Sequence, residues 1–176
     1  KENNKRGNFG ILDFSEIKEE GIYYLELGDI KTNTFKINDD VWNSPIEKAL
    51  NFFFVQRCGT HVPGVHDVCH QDLHVVHNDV KKGGNGGWHD AGDLCQGAHQ
   101  TGLTLYGMLE LTDQLKKRAG NPGLLALSSE ETKWGLDWWL KTRYPDGYRM
   151  IWSLMRTYTD NEIGNLDDVT NQARFS

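Results

Sequence analysis

The apolar residues of this chain change their spacing near residue 40, and that change constrains the fold more than any other feature. Before it, Gly21 opens the run IYYLEL, in which Tyr23, Leu25 and Leu27 alternate with Ile22, Tyr24 and Glu26. A GD turn then leads to TFKI, with Phe35 and Ile37 on one face, and Phe9, Ile11 and Phe14 precede the whole run. Alternation of this kind belongs to strands. After the change, Ile46, Ala49, Leu50, Phe53 and Phe54 fall at i, i+3, i+4, i+7 and i+8, the stripe of a helix with one buried face. A β-module over residues 1–40 and a helical part over residues 41–176 are therefore expected. Short strands have little margin as a free-standing sheet, so the β part reads as the end of a larger β-sandwich.

Local signals place the helices. Ser44 before Pro45, with Glu47 three residues on, forms a capping box for the first. A second helix is expected from about Asp90 to Lys117. Its middle, LTLYGMLEL, is apolar almost all round and should be covered on more than one side. A third is expected after Ser128, with Glu131 as its capping partner, carrying Trp134, Leu136, Trp138, Trp139 and Leu140 as far as YPDG. Trp134 and Trp138 share a helical face, which favours core packing over sugar stacking. Residues 58–87 have no period, contain five of the seven histidines and end in the glycine-rich KKGGNGG. A stretch that long inside a compact region is usually functional or disordered.

Composition narrows the function classes. A net charge of −6 argues against nucleic acid, which calls for a basic face. No apolar run approaches the length of a membrane span. With 38% apolar residues the chain can build a core. Three cysteines are too few for a disulfide scaffold.

Two constellations carry chemistry. In GGWHDAGD, residues 86–93, Asp90 and Asp93 lie three apart at the expected start of the second helix. There both carboxylates face one way, beside free N–H groups and the positive end of the helix dipole. Two ionised carboxylates sharing a water suit the base side of an inverting glycosidase. The bland alternative is that Asp90 caps the helix and Asp93 occupies its first turn. Trp88 is expected beneath the loop, near substrate but in a buried supporting position. The second constellation is Cys58, Cys69, His70 and His89, spaced C-x10-C-H-x18-H. Two thiolates and two neutral imidazoles give a closed tetrahedral Zn²⁺ site. On spacing alone His61, His66, His74 and His77 compete for ligand positions. Cys95 and His99, one helical turn apart, form a weaker metal pair. The acidic stretch TYTDNEIGNLDD, residues 157–168, is a solvated loop or a calcium site; it lacks the EF-hand spacing and is left unassigned.

GGWHDAGD resembles the N-terminal catalytic signature of glycoside hydrolase family nine, the cellulases and related β-glucanases. The segments FFFVQRCG, the CH at 69–70, DFSEI…GIYYLELGD…TFKIND and KWGLDWWLK…PDG are similar to the subgroup with an N-terminal immunoglobulin-like module. That resemblance implies a mainly α fold: part of a six-hairpin (α/α) toroid preceded by the last strands of an immunoglobulin-like β-sandwich. It implies an inverting hydrolase of β-1,4-linked glucan or a related glycan, secreted or periplasmic. Asp93 would be the general base, Asp90 its partner in orienting the water, and Cys58, Cys69, His70 and His89 the ligands of a structural zinc. The family's general acid is a glutamate near the far C-terminal end, with no counterpart expected here; Glu162 does not sit in that motif. The chain is thus expected to be an N-terminal fragment, inactive alone and missing the C-terminal part of its barrel. After DAGD the family often continues with an aromatic, a lysine and an aromatic, whereas this chain reads LCQGAHQ, which leaves the glycan open. The alternative is a non-catalytic carbohydrate-binding or interaction module that kept the loop as a relic.

Overall fold

The structure is a computed structural model that describes residues 2–4, 7–71, 74–90, 96–149 and 152–153. It forms two compact units, Lys1–Ser44 and Pro45–Ser176.

The first unit consists of antiparallel strand pairs. β1 (Glu2–Asn4) pairs with β2 (Gly7–Phe9), and β3 (Gly21–Tyr23) pairs with β6 (Phe35–Ile37). Between the last two, β4 (Glu26–Leu27) and β5 (Ile30–Lys31) form a small hairpin whose turn uses Gly28 at φ +59°. Phe35 packs against Phe14 and Tyr23, with ring centroids 5.2 and 6.3 Å away. No described side chain of this unit is fully buried, and Ile22 stays 75% exposed. The alternation read from the sequence is present, and the described strands form two-stranded pairs.

The second unit is organised by helices α1 (Asn43–Val55), α2 (Ala98–Arg118) and α3 (Pro122–Lys141). α1 begins one residue earlier than its expected cap. Asn43 is held by Asp40, amide to carbonyl at 3.0 Å and side chain to side chain at 2.8 Å, so Ser44 lies inside the first turn. α2 and α3 form an antiparallel hairpin. Ala119 closes α2 in the left-handed region, and Asn121 caps α3 by accepting from the Leu124 amide at 2.9 Å. The Thr112 hydroxyl meets those of Ser128 and Thr132 at 2.6 and 3.0 Å, pairing polar groups between the two helices. Leu50, Leu115 and Leu124 bring the three helices into one apolar cluster with Ile46, Leu111 and Leu125.

Three expectations are corrected. α2 starts at Ala98 rather than near Asp90, because Gln96–Gly97 is a short strand, β9, paired with β10 (Trp152–Ser153). α3 starts six residues before Ser128, because Asn121–Pro122 supplies both a cap and a proline suited to the first position. Ser128 and Glu131 are therefore buried in mid-helix and cap nothing. Among the described residues α2 is covered on one side only: Thr101, Leu105 and Met108 are buried, while Leu103 is 75% and Tyr106 69% exposed.

The aperiodic stretch also holds order that its composition concealed. β7 (His74–His77) and β8 (Val80–Gly83) form a hairpin around Asn78–Asp79, both at positive φ, as a two-residue type I′ turn requires.

Candidate metal centre and catalytic loop

After α1 the backbone pairs with the glycine-rich loop. The His89 amide donates to the Gln56 carbonyl at 2.8 Å, and the Cys58 amide to the Gly87 carbonyl at 3.0 Å. This short antiparallel contact sets Arg57 opposite Trp88 and brings Cys58 and His89 to the same place. A tight turn over 62–66 and a left-handed residue at His70 (φ +52°) return Cys69 and His70 to it.

All four predicted ligands therefore converge. One ligand atom from each of Cys58, Cys69, His70 and His89 lies within 4.8 Å of the others, and every one of these residues is buried. His89 Nε2 is 3.3 Å from His70 Nδ1, Cys69 Sγ is 3.5 Å from His89 Nε2, and Cys58 Sγ is 3.6 Å from His70 Nδ1. A zinc tetrahedron with Zn–N of about 2.0–2.1 Å and Zn–S of about 2.3 Å has N···N edges of about 3.3–3.4 Å and N···S edges of about 3.5 Å. The three distances given above match these edges.

The electrostatics also fit a cation. The neighbouring Cys58 thiol, by hydrogen bonding, is the chief cause holding Cys69 down to about 2; His70, His89 and the Gly59 amide add to it. Burial, with the adjacent Cys69 sulfur, pushes the Cys58 thiol well above its ordinary value. Burial keeps His89 neutral by lowering it. His70 turns Nδ1 to the cage, and its other ring nitrogen, Nε2, is buried without a hydrogen-bond partner on the far side of the ring. The polypeptide alone leaves this cluster short of positive charge.

The competing histidines are placed as follows. His61 is exposed and pairs with Asp67 at 2.9 Å. His77 bonds Asp146 at 2.8 Å and stacks on Tyr148. His74 contributes backbone to β7. His66 is buried beside His89. His99 is exposed in the first turn of α2, while its proposed partner Cys95 lies outside the described residues, as do Asp93, Glu162 and the acidic stretch 157–168.

Asp90 follows the ligand His89 directly and is half-buried. Because α2 begins at Ala98, the free N–H groups and dipole expected beside Asp90 and Asp93 lie further along the chain. That part of the argument for their ionisation falls away.

Trp88 is 5% exposed and faces the interior. Its indole N–H donates to Glu131 Oε2 at 3.0 Å, and its ring meets Phe53 edge-on at 5.4 Å. The ring lies so close to α3 that a Cβ at Gly135 would stand 2.2 Å from it. Glu131 is paired by Arg57 at 2.6 Å, and the Arg57 guanidinium lies over the Trp134 and Phe54 rings. Burial raises the Glu131 carboxyl, with the Trp88 N–H and Arg57 acting against it. Trp134 donates to the Gly87 carbonyl at 2.7 Å, Trp138 to that of Gly84 at 2.9 Å, and Lys141 to that of Asn85 at 2.7 Å. The core placement expected for Trp134 and Trp138 is observed, half-buried for the former; the clamp on the glycine loop was not foreseen. Nor were Arg57 and Glu131. The available signal was an acidic residue on the tryptophan-bearing face of a helix and an arginine next to a ligand cysteine.

The model of glycosyl hydrolase family 9 matches residues 42–171, and the chain belongs to that family. It is 31% identical over 170 residues to Endoglucanase D of Acetivibrio thermocellus, a match that spans 83% of this chain and 27% of that protein. To Cellodextrinase of Butyrivibrio fibrisolvens it is 28% identical over 166 residues, spanning 84% and 30%. Among solved structures, the GH family 9 endoglucanase J30 superposes with a TM-score of 0.56 at 28% identity, and a Zn-binding triple mutant of J30 with 0.57 at 30%. Each of these two superpositions covers 81% of this chain and 31% of the other. The chain thus spans less than a third of the length of these relatives.

Proposed function

We propose that the protein to which this chain belongs is an inverting glycoside hydrolase acting on β-1,4-linked glucan or a related glycan. The observation that carries the reading is the buried Cys58, Cys69, His70 and His89 cage, joined through His89 to Asp90 within the family match. Asp93 acts as general base and Asp90 helps orient the water it deprotonates. Trp88 supports this segment from beneath. Cys58, Cys69, His70 and His89 hold a structural Zn²⁺. A site with four protein ligands supplies a fixed joint and leaves no open position for a reactive water. The helices form part of an (α/α) toroid, and the N-terminal strands part of an immunoglobulin-like module. A polymeric glycan substrate sets the place of action outside the cytoplasm.

The test uses the full-length protein with soluble β-1,4-gluco-oligosaccharides, reading the anomer first formed by NMR. The α-anomer is expected, with turnover falling about 10²–10⁴-fold in Asp93→Asn. A β-anomer would overturn the inverting assignment. Binding without cleavage would replace the hydrolase by a carbohydrate-binding protein.

A further inference from the structure

His66 is buried and keeps one ring nitrogen without a partner. The Val62 and His66 backbones bond to each other in both directions, at 2.9 and 3.1 Å, closing a tight turn. That turn holds the His66 ring, 7% exposed, against His89 with centroids 5.5 Å apart. His66 Nδ1 lies 2.6 Å from the Asp67 carbonyl oxygen. A carbonyl only accepts, so Nδ1 carries the proton and Nε2 keeps a lone pair. His66 Nε2 is buried and has no hydrogen-bond partner. The Asp67 side chain, which might have supplied a second interaction, is engaged with His61.

An imidazole that gives one N–H to a carbonyl and keeps the other nitrogen bare is in the state of a metal-ligating histidine. Yet His66 is not among the four residues whose ligand atoms converge. Its neighbour His89 is the ligand carried by the Trp88–Asp90 segment, whereas Cys58, Cys69 and His70 come from the stretch after α1.

We infer that His66 is a reserve ligand: it takes the fourth position on the metal when His89 leaves it. The inference rests on the zinc reading of the cage. Its consequence is that the segment bearing Asp90 can detach from the metal while the metal stays bound.

The experiment titrates zinc in the full-length protein against a competing chelator. It compares the parent with His66→Phe, His89→Ala and the double variant. His89→Ala is expected to keep one zinc per chain with affinity within about 100-fold of the parent, and the double variant to bind at least about tenfold more weakly than His89→Ala. Equal affinities in His89→Ala and the double variant would overturn the reserve role while leaving the zinc reading intact. A parent that binds no zinc would overturn both. Should His89→Ala fail to fold, long-range nitrogen NMR of the histidine-labelled parent decides. Protonation of His66 at Nδ1 supports the inference, and protonation at Nε2 removes the lone pair and ends it.

Discussion

Arg57 and Cys58 are neighbours in sequence, yet they anchor the segment Trp88–Asp90 through opposite chemistries. Arg57 pairs with Glu131, and Glu131 accepts the Trp88 N–H, so each buried charge meets its complement within the polypeptide. Cys58 belongs to a group in which two sulfurs and two imidazoles turn their ligand atoms towards one another rather than towards an opposite charge. The charges of the first anchor are paired once the chain has folded. The second, on the zinc reading proposed above, is completed by a cation. Trp88 is therefore positioned by pairing within the polypeptide, and the His89 ring, on the same reading, by the metal in addition to its backbone bond to Gln56.

The largest expected effect comes from breaking the second anchor. Cys69→Ala should abolish zinc binding and lower stability by on the order of 4–5 kcal/mol, since metal binding here is folding energy. Hydrogen exchange should then show the amides near His89 unprotected while the Trp88 indole N–H stays protected. Equal loss at both would mean that the anchors are one cooperative unit.

A smaller effect is expected from the first anchor. Arg57→Ala leaves Glu131 buried without its counter-ion, at a cost of about 3 kcal/mol. Zinc stoichiometry, read by metal analysis, should stay at the parental value. Loss of the metal in this variant would erase the distinction drawn above.

The smallest effect is a pH dependence of the metal-stripped protein. Burial lowers His89 from its ordinary value of 6.5, so above 6.5 the folded and unfolded chains are both neutral there. As the pH falls from 6.5 towards the depressed folded value, the unfolded chain binds a proton that the folded site excludes. His89 then contributes a fall of at most about 1.4 kcal/mol per pH unit, and Cys69, held far below its ordinary value of 9.0, adds a fall of the same sign over this window. Glu131, raised by burial, acts in the opposite sense, gaining relative stability as the pH falls through its raised value. Thermal melts of Glu131→Gln remove that opposing contribution and should show the steeper decline; a decline no steeper than the parent's would mean that Glu131 takes up no proton in this range.

The sequence made legible whatever rests on periodicity or ligand chemistry. The stripe from Ile46 to Phe54 places α1, and two cysteines with two histidines name the cage, with the family resemblance choosing among seven histidines. What stayed hidden depends on pairing across the chain. Glu131 resembles a cap in isolation and becomes a buried acceptor only when Trp88 and Arg57 arrive from residues more than 40 positions away. The start of α2 is set by the pairing of Gln96–Gly97 with Trp152–Ser153, which no local signal around Asp90 reports. The hairpin at Asn78–Asp79 rests on two successive positive-φ residues, a turn that Asn-Asp signals less clearly in sequence than Asn-Gly does.

The backbone at His70 points to an order of historical loss. A residue with a β-carbon at φ +52° is held in a region that costs roughly 1–2 kcal/mol and that glycine or asparagine occupies more easily. Histidine at this position bears that cost while bringing Nδ1 to the converging ligand atoms. In a relative without a metal at this cage nothing would offset that cost, whereas a buried cysteine remains an acceptable small apolar residue. Position 70 should then drift to glycine or asparagine before either cysteine is replaced, leaving a pair of thiols as the fossil of the site.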